Sequence, residues 1–310
     1  MFERATGEIR TPDRLITNQV LYQLSHSGSD SATLRFGIRQ PVKTFMTFRT
    51  PPHPVANLRT NSLFRRAFGD AFPSNLDVAY SLCERGGVGQ GCQLVHFGSG
   101  TGSVSYLLAS RTGCSVAGVD SSAQLVDLAK SERQTTDVEF QHSPLTQVPY
   151  PDGWGTHLLT ESILTRTPTL PPMFDEIRRL LSRDGKLLNS EIVVAEGRSL
   201  PPEVARFTDL MMGEDCLRTI DGWRQVIEAN GFDVLEYREE PRVMRRNGEK
   251  LRRALMVVNM LRRTGRFSLA EFGLGAFEND FDETAMAGLR AMADGTLSYA
   301  SFISEVSMLT

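Results

Sequence analysis

From Leu76 onward the chain alternates between two hydrophobic rhythms. Short apolar runs at 94–97, 115–119, 138–141, 156–160 and 186–194 read as buried strands, and the stretches between them carry the three-to-four-residue spacing of helices. Helix ends are marked by their own chemistry. A helix over 76–85 leads the series, Ser122 is placed to cap one over 122–132, and Ser182-Arg183-Asp184-Gly185 stops one over 172–181. Thr219-Ile220-Asp221-Gly222 opens a further helix that Gly231 turns into a sixth strand over 232–238, and 297–308 has the length and aromatic content of a closing strand. Strands and helices in this alternation predict an α/β fold with a doubly wound sheet.

The chemistry gathers at the first strand-to-helix handover. Leu94-Val95-His96-Phe97-Gly98-Ser99-Gly100-Thr101-Gly102 joins a buried strand to a turn whose glycines let the backbone approach a ligand. Such a turn alone is as often a plain connection. Asp120, however, ends the next strand, where its carboxylate can accept both hydroxyls of a ribose, and an acid within the same βαβ unit favours a nucleotide cofactor. The dinucleotide fingerprint would put its third glycine at Ser103, so a pyrophosphate site is disfavoured.

The glycine segment resembles motif I of the class I S-adenosylmethionine-dependent methyltransferases, and GVDSSAQLVDLAK, from Gly118 to Lys130, looks like their second motif. VEFQHSPLTQVPYPDGWGTHLLTESIL, FDEIRRLLSRDGKLLNSEIV and TIDGWRQVIEANGFDVLEYRE resemble the third to sixth strands and their helices in the small-molecule branch. The resemblance implies a seven-stranded Rossmann-like sheet with an antiparallel last strand, and S-adenosylmethionine as cofactor. It also implies that His96, Phe97, Gly98, Ser99, Gly100 and Gly102 meet the cofactor. Asp120 and Ser121 would serve its ribose, and Leu125 and Ser143 its adenine. Glu161, after strand four, would face the sulfonium. Glu161 and His142 are the candidate catalytic groups, with Ser162 and Glu191 also at strand ends, since open α/β sheets collect their chemistry there. Each has a plainer reading as a solvated or core polar residue.

Two positions depart from the family pattern. His96 stands where relatives carry an acid that receives the cofactor's charged end. It is expected either to pair with a carboxylate behind the turn or to reach the cofactor's carboxylate. Ser143-Pro144 stands where relatives often have Gly-Asp, and proline offers no donor. The leading expectation is methyl transfer to a small, partly apolar molecule. The alternatives are a catalytically silent methyltransferase-like subunit and an enzyme of this fold with another reaction.

Around the expected core at 76–240, residues 1–45 are polar and expected to be loosely docked, with Met46 as an alternative start. Residues 46–75 could cap the cofactor cleft through Phe48, Phe64, Phe68 and Phe72, or only cover a sheet edge. Residues 241–295 are expected to be a helical insertion serving as a lid or a homodimer surface, before a closing strand over 296–310. Within it Leu251, Leu255, Val258 and Leu261 share one helix face among arginines, and Glu278, Asp280, Asp282 and Glu283 follow to balance them. Phe207, Met211 and Met212 suit either an acceptor pocket or ordinary core, whereas Trp154 and Trp223 suit packing. A net charge of −3 with interspersed signs gives no field for nucleic acid. Cys83, Cys92, Cys114 and Cys216 lack metal-ligand spacing and read as reduced thiols. With no membrane-length apolar run and no signal peptide, the expectation is a cytoplasmic protein with little call for membrane contact.

Overall fold

The computed structural model describes residues 59–307, apart from residues 61, 70, 71, 74, 133, 134, 136, 215, 266 and 273. The expectations for residues 1–45, and for Phe48 in the cap, lie outside the described residues.

A short helix α1 (Ser62–Phe68) precedes α2 (Leu76–Gly86), and the chain then runs β1 (Gln93–Phe97), α3 (Ser103–Thr112), β2 (Ser115–Asp120), α4 (Ala123–Ser131) and β3 (Val138–His142). It continues through β4 (Gly155–Glu161), α5 (Leu170–Leu180), β5 (Leu181–Val194), α6 (Pro202–Met212), α7 (Ile220–Ala229) and β6 (Phe232–Glu239). The final elements are α8 (Pro241–Arg263), α9 (Phe281–Ala293) and β7 (Leu297–Val306). The seven strands form one sheet in the order β3-β2-β1-β4-β5-β7-β6. β1 to β5 run parallel to one another, and β7 runs antiparallel to both β5 and β6.

Local chemistry explains the boundaries. Asn75 Oδ1 accepts from Val78 N at 2.9 Å at the start of α2, Ser122 Oγ accepts from Leu125 N in α4, and Thr219 Oγ1 accepts from Gly222 N in α7. One boundary differs from the sequence expectation: α5 ends at Leu180 and β5 starts at once, with the Ser182–Gly185 turn lying inside a register shift between Gly155/Leu181 and His157/Lys186. The strand has absorbed the turn because Leu181 is itself buried and pairs with Gly155.

Alternation along the strands divides the core. Leu94, Val116, Phe140, Leu159 and Leu188 pack under α2, α3 and α4, while Val95, Phe97, Leu158, Leu187 and Phe302 pack under α5 and α7, where Trp223 is fully buried. A third cluster joins Ile192 and Tyr299 of the sheet to Val204 of α6, Val243 and Met244 of α8, and Ala287 and Ala291 of α9. The segment between β6 and β7 is thus helical and lies against the core. Leu255 and Leu261 are buried, Leu251 and Val258 half-buried, and Met256 and Met260 exposed. Arg262 meets Glu278 and Asp282, so part of the basic face is balanced as its sequence suggests. On the N-terminal side, Phe64, Phe68 and Phe72 form one aromatic cluster, and α8 holds it through Lys250 Nζ to Phe68 O at 2.8 Å. Among the described residues, no helix is long and apolar enough to cross a membrane.

Candidate active site

β1 runs into a turn in which Gly98, Gly100 and Gly102 all take positive φ, at 67°, 57° and 81°. Gly98 N and Ser99 N both donate to Val119 O, at 2.8 and 3.1 Å, so β2 holds the turn one residue before Asp120. A side chain at Gly98 is excluded twice. Its φ disfavours any Cβ, and a Cβ built there would lie 2.1 Å from Ile163 Cδ1. At Gly100 the nearest neighbour to such a Cβ is Arg59 Nη2, at 3.0 Å.

Asp120 is 6% exposed beneath this turn. Its Oδ2 accepts from Gly100 N and its Oδ1 from Ser122 N, each at 2.9 Å. A carboxylate has about four lone-pair sites, so each oxygen keeps capacity for another donor. That capacity fits the two hydroxyls of a ribose.

His96 takes the first of its two expected positions. Its Nε2 lies 3.4 Å from Glu161 Oε2 and its Nδ1 2.8 Å from Ser105 Oγ, behind the turn. The position lacks an acid, but a carboxylate reaches the same locality from β4. Glu161 Oε1 is buried there without a hydrogen-bond partner. Glu161 also stands near Cys83 of α2, whose thiol pKa is raised chiefly by burial and secondarily by that negative charge. The buried carboxylate is therefore on the side of the sheet covered by α2 and α3.

His142 is exposed at the end of β3, with Nε2 3.2 Å from Ser121 O. Strands β2 and β1 lie between its strand and that of Glu161, so the two candidate catalytic groups are not brought together. Leu125 is buried at the start of α4. Ser143 N donates to Asp120 O at 3.2 Å, while its hydroxyl is committed to Gln147 O at 2.7 Å. Phe97 is fully buried in the core, which leaves its backbone alone at the turn. Ser99 Oγ is buried and unpartnered, and Ser121 is exposed.

A second polar group collects where β4, β5 and β7 meet. Tyr299 OH lies 3.1 Å from Ser162 Oγ and 3.0 Å from Ser190 Oγ, and Ser162 has a positive φ of 53°. Glu191 accepts from Leu164 N at 3.1 Å, from Thr165 N at 3.2 Å and from the Thr165 hydroxyl. Burial pushes the Glu191 pKa up to about 7, against these hydrogen bonds and Arg166. Sequence reasoning named Ser162 and Glu191 as strand-end polar residues. It missed Tyr299, Arg166 and Arg59, because each joins the site through a pairing or loop contact with no local spacing to mark it.

The family model described as a methyltransferase domain matches residues 95–189, which span the turn, Asp120, Glu161 and most of β5. Methyltransferase GfsG of Streptomyces halstedii is 27% identical over 203 residues, covering 57% of this chain and 71% of that protein. Geranyl diphosphate C-methyltransferase from Streptomyces coelicolor A3(2), solved with Mg2+, geranyl diphosphate and S-adenosyl-L-homocysteine, has a TM-score of 0.57 at 14% identity, covering 96% of this chain and 99% of that one. The 4+2 cyclase SpnF also has a TM-score of 0.57, at 18% identity, covering 75% of this chain and 81% of that one. The glycine turn and its acid lie on the matched residues, and in this region the chain is similar to methyltransferase domains.

Proposed function

We propose that the protein transfers a methyl group from S-adenosylmethionine to a small, partly apolar acceptor. One observation carries the reading: a glycine turn lies directly over a buried Asp120 whose two oxygens each hold one backbone N–H and keep room for a hydroxyl. In this reading Asp120 holds the ribose and Leu125 gives adenine an apolar wall. The polar edge of adenine falls to backbone groups, since the Ser143 hydroxyl is engaged. Glu161 places negative charge behind the turn, compensating for the missing acid at position 96. The cofactor supplies an electrophilic methyl on a sulfonium, so the protein's share is alignment and exclusion of water. His142, on the exposed rim, has no support from the geometry as a catalytic group. For the acceptor, support comes from the apolar cluster of Met211, Leu269 and Leu274 with Phe207, Met212 and Phe267, which flanks α6.

Calorimetric titration of the full chain with S-adenosylmethionine and S-adenosylhomocysteine tests the reading. Micromolar binding is expected, weakened about tenfold or more by Asp120→Asn, as the loss of a charge-assisted hydrogen bond of about 1.5–3 kcal/mol requires. No binding to folded protein overturns it and favours the silent subunit. The structural likeness to the cyclase SpnF favours a second reading, in which the fold keeps its cofactor and performs another reaction. Tight cofactor binding with no methylated product from any of a panel of small acceptors would support that second reading.

A further inference from the structure

Helix α8 turns one side to the core and the other to solvent. Val243, Met244, Asn247, Gly248, Leu255 and Leu261 are buried on the inner side. The exposed positions are held by Arg242, Arg245, Arg246, Arg252, Arg253 and Arg263, with Glu249, Met256 and Met260 among them. Spacings of three and four residues set Arg245, Glu249, Arg252, Met256, Met260 and Arg263 in one stripe about 27 Å long.

This stripe is not composed as a solvated surface is. Solvated helix faces alternate the two signs, so that acid and base meet one turn apart. Here Arg246 meets Asp77 at 3.4 Å, while Arg242, Arg245, Arg252, Arg253 and Arg263 make no ion pair. The helix carries eight of the chain's 34 basic residues and one of its 37 acids, and is strongly positive in a chain of net charge −3. In the middle of that charge Met256 is 67% and Met260 45% exposed, where an apolar side chain gains nothing from water.

We propose that the outer face of α8 docks the protein on an anionic phospholipid surface. Guanidinium forks take phosphate oxygens in pairs, and a long row of them meets many headgroups of one plane at once. The two methionines have no use for phosphate; they fit the acyl boundary just beneath it, and Met256 stands clear enough of the helix to enter a fluid layer. Nucleic acid suits the face less well, because the chain as a whole is negative and the stripe has no aromatic ring on which a base can stack. A helix lying on a membrane needs no spanning run, so the lack of one bears only on crossing. The proposal does not rest on methyl transfer.

Co-sedimentation of the full chain with vesicles tests it. Vesicles of equal parts phosphatidylcholine and phosphatidylserine should bind the wild type at an ionic strength of about 0.15 M and release it at about 1 M, and pure phosphatidylcholine should not bind it. Arg252→Gln with Arg253→Gln should weaken binding by about tenfold or more with an unchanged thermal transition. Should that pair fail to fold, Arg245→Gln with Arg263→Gln makes the same test. Tryptophan emission of Met256→Trp should shift to the blue on the mixed vesicles, as its ring leaves water. No binding to the mixed vesicles, binding unmoved by the arginine variants, or binding without the emission shift overturns the proposal. Binding to poly-L-glutamate but not to the vesicles overturns it in favour of an acidic protein partner, and binding to duplex DNA alone overturns it in favour of nucleic acid.

Discussion

Replacing Gly98 with alanine tests whether the loop after β4 and the glycine turn form one packed unit. The alanine must adopt φ near +67°, which costs about 1–2 kcal/mol for an L-residue. Its methyl would also stand 2.1 Å from Ile163 Cδ1 and 2.5 Å from Cγ1. Ile163 is 8% exposed and has core on its other side, so it cannot swing into water, and overpacking of this kind costs about 1–3 kcal/mol. The two together give about 2–5 kcal/mol, a large share of a typical stability of about 5–15 kcal/mol. For a domain of this size that is a fall in Tm of about 2–4 °C per kcal/mol. The terms separate in a double-mutant cycle by urea unfolding. Ile163→Ala alone leaves a cavity and costs about 2–5 kcal/mol, but in its background Gly98→Ala should be about 1–3 kcal/mol cheaper, because only the backbone strain remains. A coupling near zero, or a cost for Gly98→Ala below about 1 kcal/mol in the wild type, refutes the packing argument.

Other substitutions probe the buried charges and the helical segment. Glu191 has its pKa raised in the folded state to about 7, so its contribution is present below the unfolded value of about 4.5 and is lost as pH rises through 7. The stability of the wild type relative to Glu191→Gln should accordingly fall by about 3 kcal/mol between pH 4.5 and 8, and a pH-independent difference in urea melts would contradict the assignment. His96→Asp would set a second carboxylate beside Glu161, and should destabilise the fold by about 3 kcal/mol, with much of the loss recovered by adding Glu161→Gln. Equal stability for His96→Asp and wild type in the same melts would show that the pair does not hold. Leu255→Glu buries a charge on the inner face of α8 and should lower stability by about 2–5 kcal/mol. Mass by light scattering should stay the same, and a change in mass without a change in Tm would make that face a subunit contact instead.

The elements that a sequence announces are those built from local rules. The strand runs, the glycine turn and the caps at Ser122 and Thr219 all express short-range pattern, so their places were legible to within a few residues. The Ser182–Gly185 signal placed the end of α5 to within one residue but misled on the start of β5, because pairing of Leu181 with Gly155 carries the strand back through the turn. At the site, the glycines and Asp120 were legible as a unit of fixed spacing. The partner of His96 was not, since Glu161 is far along the chain and adjacent only because β4 lies beside β1. Arg59 and Arg166 were less legible still. Nothing in their own neighbourhoods distinguishes them from other arginines, and only the folded chain brings them to the same turn.

The antiparallel strand β7 has a consequence for how the protein is made. It lies between β5 and β6 and is the sole strand partner of β6 among the described residues, yet it follows all the other described strands along the chain. Until it arrives, β5 and β6 each present an unsatisfied edge, and the hydroxyls of Ser162 and Ser190 await Tyr299. A chain stopped short of Leu297 would keep the residues of its glycine turn and Asp120 but leave β6 cut off from β5 and the rest of the sheet. A product lacking β7 is thus marked by exposed strand edges for aggregation or degradation rather than persisting as a closed sheet.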